Sequence, residues 1–243
     1  MRIKLCLEYD GTNYSGWQWQ AEQDSIQARV EAALERLFGE RIRVNGAGRT
    51  DAGVHALGQV AAFSAPARFA VGEVRRALNA LLPNDIVVRD AVEAGENFDP
   101  RRDARSRVYE YHILNRNLAS PFDYRYCWLV REPLEQQAMD AAARLFIGEH
   151  DFAAFRSLGS EIKTTVRHVY YSAWKREGSR LRYRVEANSF MRHMVRTMVA
   201  TMVEVGRGKA SSDIVPRLLA GRDRAQAPAA ALARGLFLVE VCY

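Results

Sequence analysis

The sequence has little cysteine, and its three cysteines are far apart among 243 residues. Cys6, Cys127 and Cys242 have no C-x-x-C spacing, so the pattern indicates neither a disulfide framework nor a zinc site. Long apolar runs are also lacking, since no stretch reaches the roughly eighteen residues of a membrane-spanning helix. The first residues, MRIKLCLEYDG, lack the apolar stretch and cleavage site of a signal peptide. We therefore expect a cytoplasmic protein with no membrane partner.

Motifs for metals and nucleotide cofactors are lacking as well. The five histidines are scattered, and none belongs to an H-E-x-x-H pair. The dinucleotide fingerprint G-x-G-x-x-G would need glycine where Asp51 stands, and GRGKAS, residues 206 to 211, lacks the spacing of a phosphate-binding loop. We expect neither a metal nor a cofactor.

Basic charge is in excess. Lysine and arginine number 35 against 29 aspartates and glutamates, which gives a net charge of +6. Arginine is concentrated in blocks such as RRDARSR, residues 101 to 107. Arginine forks suit phosphate oxygens and stack on bases, which favours a polyanionic partner. Charge alone leaves this partner open, because many basic proteins bind no nucleic acid.

Hydrophobic periodicity in the first hundred residues predicts the order strand, helix, strand, strand, helix, strand. RIKLCLEY alternates charged and apolar residues as a half-buried strand does. A helix follows with Ile26, Val30 and Leu34 on one face, a cap at Asp24 or Ser25, and an end at Gly39. The remaining predicted elements are the strands RIRVN and HALGQVAAFSA, the helix VGEVRRALNALL and the strand DIVVRDAVE.

The same order recurs in the second part of the chain. Its predicted elements are the strand RVYEYHILN, the helix PLEQQAMDAAARLF, the strand pair KTTVRHVYYSAWKR and SRLRYRVEAN, the helix SFMRHMVRTMVATMVEV and the strand LFLVEVCY. The repeat predicts an α+β fold of two tandem split β-α-β halves, ferredoxin-like or RRM-like, with mixed or antiparallel sheets. We place the halves at residues 1–103 and 104–243 and expect a cleft between them.

The stretch GRTDAGVH, residues 48 to 55, places charged residues among glycines. Gly46, Gly48 and Gly53 permit positive φ or close approach of a ligand, so Asp51 is expected to be presented. A cation such as Arg49 would keep its carboxylate ionised, as a nucleophile or base requires. The alternative is a structural aspartate turn paired with Arg49.

Other candidates are ambiguous by position alone. His55 suits a catalytic base beside Asp51 or a hydrogen-bonding residue at a strand start. Tyr109 and Tyr111 project to one face of a predicted strand, where they either stack on bases or pack in the core. Arg192 and Arg196 fall one turn apart on a predicted helix, either solvated or reaching Asp51. The methionines of that helix indicate a buried stripe: Met191, Met194, Met198 and Met202.

Taken together, these motifs resemble the tRNA pseudouridine synthase A family. The resemblance extends along nearly the whole chain through YDGTNYSGWQWQ, SIQARVEAAL, GAGRTDAGVHALGQVAAF, LNALLPNDIVV, ARSRVYEYHI, GEHDFAAFR, ANSFMRHMVRTMV and GLFLVEVCY. It implies isomerisation of uridine to pseudouridine at positions 38, 39 and 40 of the tRNA anticodon arm, without metal or cofactor, by a homodimer.

The resemblance also implies roles for individual residues. Asp51 corresponds to the catalytic aspartate, Tyr109 to the active-site tyrosine over the target base, and Arg196 to an arginine facing the aspartate. Substrate contacts are expected from the loop partners of Asp51 and from an apolar wall, namely Arg49, Thr50, His55 and Leu236.

Two departures from the family pattern stand outside these residues. FDPR, residues 98 to 101, replaces a frequent F-H-A-R, and Leu232 replaces a usual proline in ALARGL. They put only the surrounding RNA contacts in doubt. Two other functions stay open: a non-catalytic RNA-binding module with a structural Asp51, and an Asp51–His55 hydrolase, which no oxyanion or metal arrangement supports.

Overall fold

The first strand, β1 (Arg2–Tyr9), has the alternating burial that its sequence predicts. A computed structural model describes residues 1–157 and 163–243 of the chain. Ile3, Leu5 and Leu7 are fully buried on one face of β1. The first helix, α1 (Ile26–Phe38), begins where the Ser25 hydroxyl accepts the Ala28 N–H and ends at Gly39, which has a φ of 75°. Both predicted ends of this helix are confirmed.

An antiparallel sheet forms around β1. After α1 come β2 (Asn45–Gly46), β3 (His55–Ser64), α2 (Val71–Leu81) and β4 (Ile86–Ala94). β1 lies between β3 and β4 and pairs antiparallel with both. The strand predicted at residues 41 to 45 is wrong for most of its length, because only Asn45 and Gly46 pair with β3.

The second part of the chain repeats this plan with three additional short elements. It contains β5 (Ser106–Asn115), β6 (Trp128–Val130), α3 (Gln136–Arg144), β7 (Gly148–Asp151), β8 (Val166–Glu177), β9 (Arg180–Ala187), α4 (Met194–Gly206) and α5 (Ile214–Gly221). The strands are ordered β5-β9-β8-β7 and pair antiparallel, while β6 runs parallel to β5. The sequence did not predict β6, β7 or α5, because such short segments show too little periodicity.

Helix α4 begins later than its sequence periodicity predicts. His193 precedes it in the left-handed region, with a φ of 63°, so residues 189 to 193 are not helical. Arg192 therefore lies outside the helix, and the prediction that it shares a helix face with Arg196 is wrong. The predicted methionine stripe is confirmed for Met194, Met198 and Met202, which are fully buried, whereas Met191 is buried but lies before the helix.

The last strand, β10 (Leu236–Cys242), pairs parallel with β3 through Phe237 opposite His55 and Leu238 opposite Ala56. It uses the same edge of β3 that β2 meets further along, at Ala61 and Ala62. Because β10 occupies one end of this edge, β2 has only the other end to pair with.

Residues group into two units with β10 counted almost wholly in the first. The first unit comprises Met1–Arg105 and Phe237–Tyr243, and the second comprises Ser106–Leu236. The halves placed from the sequence at residues 1–103 and 104–243 are each one continuous segment, whereas the first unit of the structure also includes Phe237–Tyr243. No helix in residues 1–157 or 163–243 is long and apolar enough to span a membrane.

Candidate active site

Asp51 lies in the loop of residues 47–54, between β2 and β3 in the first unit. The loop ends in a tight turn, in which the Val54 N–H donates to the Asp51 carbonyl at 3.1 Å. Gly53 adopts a left-handed φ of 74°, and its N–H donates to the Tyr14 carbonyl at 3.3 Å. The turn leaves the side chain of Asp51 half-buried at its outer edge.

Thr50 fixes the main chain immediately before Asp51. Its hydroxyl lies 2.9 Å from the Tyr9 hydroxyl, and its carbonyl accepts the Trp17 N–H at 3.0 Å. Thr50 is buried, whereas the neighbouring Arg49 is exposed.

The loop DGTNYSGW, residues 10 to 17, packs directly against the Asp51 loop. A Cβ atom on Gly11 would overlap the Val54 carbonyl, and one on Gly16 would overlap the Thr50 carbonyl. Gly16 also has a left-handed φ of 95°. Only glycine allows two backbones to approach this closely. The motif YDGTNYSGWQWQ did not by itself predict this contact, although its glycines were a usable signal.

His55 starts β3 and is 1% exposed. The Gly11 N–H donates to its Nδ1 at 3.1 Å. Asp10 Oδ1 also lies 3.1 Å from Nδ1. The ring stacks on Phe237 at 4.7 Å. His55 thus joins the DGTNYSGW loop, β3 and β10.

Tyr109 lies on β5 in the second unit, opposite Val185 of β9. It is 8% exposed, and its ring meets the Phe190 ring edge-on at 5.1 Å. Tyr111 projects to the same face but is fully buried, and its hydroxyl donates to the Leu232 carbonyl at 2.7 Å. Both tyrosines are therefore buried, and only Tyr109 keeps a small exposed fraction.

Arg196 lies in the first turn of α4 and is held from two sides by one residue. Its Nε donates to the Ala231 carbonyl at 2.7 Å, and the Ala231 N–H donates back to the Arg196 carbonyl at 3.1 Å. This reciprocal pair fixes the plane of the guanidinium. Burial raises the pKa of Tyr111 well above its usual range, and the charges of Arg196 and Arg234 partly oppose that rise.

Leu236 follows this anchored segment and is 6% exposed. Its N–H donates to the Ala233 carbonyl at the end of a short 3-10 turn. The seven residues predicted from the sequence are thus divided between the units. The first unit contains Arg49, Thr50, Asp51 and His55, and the second contains Tyr109, Arg196 and Leu236.

Metal-binding side chains do not cluster in the part of the chain that the structure describes. No group of three or more histidine, cysteine, aspartate or glutamate side chains there is placed to hold a metal ion. The three cysteines are free thiols.

Comparison with known proteins decides the family. A family described as tRNA pseudouridine synthase matches residues 5–102 and 142–243. The chain belongs to the tRNA pseudouridine synthase family. Membership of this family makes it an isomerase that acts on tRNA. The resemblance and the α+β fold expected from the sequence are confirmed.

Individual relatives of this tRNA pseudouridine synthase match over its full length. A tRNA pseudouridine synthase A from Geotalea uraniireducens is 47% identical over 100% of this chain and 99% of its own. Another from Myxococcus xanthus is 45% identical over 100% of this chain and 92% of its own. One solved structure, a chain of a Cbf5-Nop10-Gar1 complex, is 15% identical and aligns with 82% of this synthase and 54% of its own length. The TM-score of 0.35 indicates only a weak structural similarity.

The two departures of this synthase from the family pattern have local structural accounts. In FDPR, Asp99 caps a turn by accepting the N–H groups of Arg101 and Arg102, each at 2.9 Å. These backbone donors, with the nearby Arg102 side chain, lower the pKa of the Asp99 carboxyl. Leu232 contributes its carbonyl to Tyr111 and leaves its side chain 43% exposed.

Proposed function

We propose that this chain converts uridine to pseudouridine at positions 38, 39 and 40 of the tRNA anticodon arm, with Asp51 as the catalytic group. The observation that carries the proposal is the presentation of Asp51 on a glycine turn. The main chain of this turn is fixed by buried Thr50 and by the DGTNYSGW loop. A catalytic carboxylate needs this combination of access and fixed geometry.

The reaction is an isomerisation within one nucleotide. The C1′–N1 glycosidic bond breaks, the uracil turns while bound, and C5 bonds to C1′ as C5 loses a proton and N1 gains one. An ionised Asp51 serves this chemistry by attacking C1′ or C6, or by abstracting the 2′ proton to form a glycal. Atoms and electrons balance without an oxidant or an energy source, and we propose that no cofactor or metal takes part.

We propose that Tyr109, Arg196 and Leu236 act on the same uridine as Asp51. Tyr109 stacks on the extruded base, and Leu236 provides an apolar wall. Arg196 serves as the active-site arginine that the family resemblance implies, and the bond from its Nε to the Ala231 carbonyl restrains its guanidinium. Flipping the uridine out of its stack costs a few kcal/mol.

Arg49, Thr50 and His55 serve the substrate differently in this proposal. Arg49 is exposed beside Asp51 and suits a phosphate contact. Thr50 and His55 are 6% and 1% exposed, so they serve the substrate through the loops that they fix. A net charge of +6 favours the tRNA backbone. We further propose a homodimer that works in the cytoplasm.

The test is pseudouridine formation on unmodified tRNA with uridines at positions 38, 39 and 40, detected by carbodiimide-dependent primer stops without added metal. We compare wild type, Asp51→Ala and the control Asp213→Ala, since Asp213 is an exposed aspartate at the start of α5. Stops with wild type and Asp213→Ala but not with Asp51→Ala support the proposal. Absence of stops from wild type while tRNA still binds would favour a non-catalytic RNA-binding module.

A further inference from the structure

A buried polar chain runs beneath the loop that presents Asp51. The Tyr9 hydroxyl lies 2.9 Å from Thr50 Oγ1, and Gln59 Nε2 donates to the Gly48 carbonyl at 2.8 Å. Gln59 Nε2 also lies 3.5 Å from the Tyr9 hydroxyl, so the two side chains are continuous. Tyr9 is 3% exposed and Gln59 is fully buried. These two side chains thus bond the Asp51 loop at Thr50 and at Gly48, one and three residues before Asp51.

Gln59 lowers the stability of the fold at this position if its only role is packing. Its Oε1 is buried and finds no hydrogen-bond donor in residues 1–157 or 163–243. A buried carbonyl left in this state costs about 1–3 kcal/mol. The residues that follow Gln59 on the same face of β3, Ala61 and Phe63, are apolar and fully buried. An apolar side chain would fill the site without that cost, which indicates that the amide is kept for the bond from Nε2 to Gly48.

Tyr9 also does more than fill space. Burial raises the pKa of its hydroxyl to about 12, so the group stays neutral at any physiological pH. A neutral hydroxyl both donates and accepts, and can therefore bond Thr50 and Gln59 together. Phenylalanine would fill the same volume but would lose both bonds.

We propose that Tyr9 and Gln59 are positioning residues for Asp51, and that they act through Thr50 and Gly48 on the orientation of the loop. This inference rests on the proposed function, because it assumes that Asp51 reacts with the target uridine. A displacement of about 1 Å at a reacting group can lower the rate roughly 100-fold. The network is therefore expected to govern turnover more than binding.

The test compares Tyr9→Phe and Gln59→Leu with matched controls elsewhere in the protein. Tyr183→Phe removes another buried hydroxyl, bonded to Ser172, and Gln136→Leu removes a half-buried amide that bonds the Trp174 carbonyl in the second unit. We expect kcat to fall roughly 10- to 100-fold in both test variants with KM for tRNA unchanged. The controls are expected to change the melting temperature and leave kcat at the wild-type value. Unchanged kcat in both test variants would overturn the inference, as would an equal loss in the controls.

A double variant tests whether Tyr9 works through Thr50. Thr50→Val keeps the shape of the side chain and removes its hydroxyl. If both hydroxyls serve one bond, Tyr9→Phe combined with Thr50→Val will be no slower than the more severe single variant. Multiplied losses would show that Tyr9 does not act through Thr50.

Hydrogen exchange gives a readout that does not depend on turnover. We expect the amides of residues 47–54 to exchange faster in Tyr9→Phe and Gln59→Leu than in Gln136→Leu, and equal protection would overturn the inference. Failure of the proposed function has a different signature, because Asp51→Ala would then be as active as wild type. An inactive Asp51→Ala beside fully active Tyr9→Phe and Gln59→Leu would refute the positioning role alone.

Discussion

The backbone of Gly16 and the carbonyl of Thr50 are so close that a methyl group has no room between them. Gly16→Ala therefore meets two obstacles, a left-handed φ of 95° and an overlap with the backbone beside Asp51. We expect a loss of roughly 3 kcal/mol or more in the free energy of unfolding, with reduced turnover. Urea denaturation and single-turnover assays measure the two effects.

Gly39→Ala is the control for Gly16→Ala, because Gly39 has a φ of 75° and no atom within 4 Å of the added Cβ. It carries the cost of the backbone conformation alone, about 1–2 kcal/mol. Equal losses in the two variants would contradict the argument from close approach.

Leu232 is already in a backbone conformation that proline adopts, with a φ of −58°. Its side chain is half-exposed, and no described residue accepts a hydrogen bond from its N–H. We expect Leu232→Pro to raise the free energy of unfolding by about 0.4–1 kcal/mol, because proline restricts the unfolded chain. Ala231→Pro is the contrasting variant, since it removes the N–H that bonds Arg196, and it should destabilise. Thermal denaturation compares the two.

At the scale of elements, β10 stabilises the first unit by pairing with β3 and stacking Phe237 on His55. Tyr243 adds a bond to the Pro100 carbonyl and a ring beneath the Lys4 ammonium, 4.8 Å away. A chain that ends at Leu236 should therefore lose at least about 3 kcal/mol, as expected for removal of a buried aromatic residue. Deletion of Tyr243 alone is the control and should cost less. Equal urea midpoints for the two deletions would contradict this role of β10.

Elements with a long periodic pattern were predictable from the sequence, and those fixed by tertiary pairing were not. The apolar face of α1 and the cap at Ser25 are local properties, and both were found. RIRVN was assigned too much strand, because its alternating letters do not show that only Asn45 of this segment pairs with β3. The start of α4 depends on the left-handed His193, and no periodicity in SFMRHMV indicates it.

The candidate site was predictable to the extent that the motif and the family resemblance name its residues. GRTDAGVH indicated a presented aspartate, and the turn at Gly53 agrees with that expectation. The supports of the loop were not predictable, because Tyr9 reads as an ordinary strand residue and Gln59 as a polar residue in an apolar strand. Their importance depends on bonds between residues that are 41 and 11 positions apart.

At the scale of the whole molecule, buried tyrosines set an upper limit of pH for stability. Burial raises the pKa of Tyr9 to about 12 and those of Tyr111 and Tyr183 still further, from a usual value of 10. The unfolded chain loses these protons near pH 10 while the folded chain keeps them. The free energy of unfolding should therefore be constant below pH 10 in this respect and fall as pH rises above it, by up to about 1.4 kcal/mol per pH unit for each tyrosine.

Urea denaturation between about pH 9 and about pH 12 measures this loss, because the interval includes the usual pKa of tyrosine. The ultraviolet absorbance of tyrosinate, recorded in parallel, reports when the hydroxyls lose their protons. Tyr183→Phe should make the decline shallower, because one of the buried hydroxyls is gone. A stability that stays level through this interval would contradict the assignment.

The parallel pairing of β10 with β3 also has a consequence for biosynthesis. The first 105 residues leave the ribosome early, yet the strand that completes their unit is made only after residues 106–236. At about 5–20 residues per second, the nascent first unit waits on the order of ten seconds for this strand. Throughout that time the edge of β3 at His55 lacks its native partner. Translation of an mRNA truncated before the codon for Phe237 yields a protein in which the strand next to the Asp51 loop is missing.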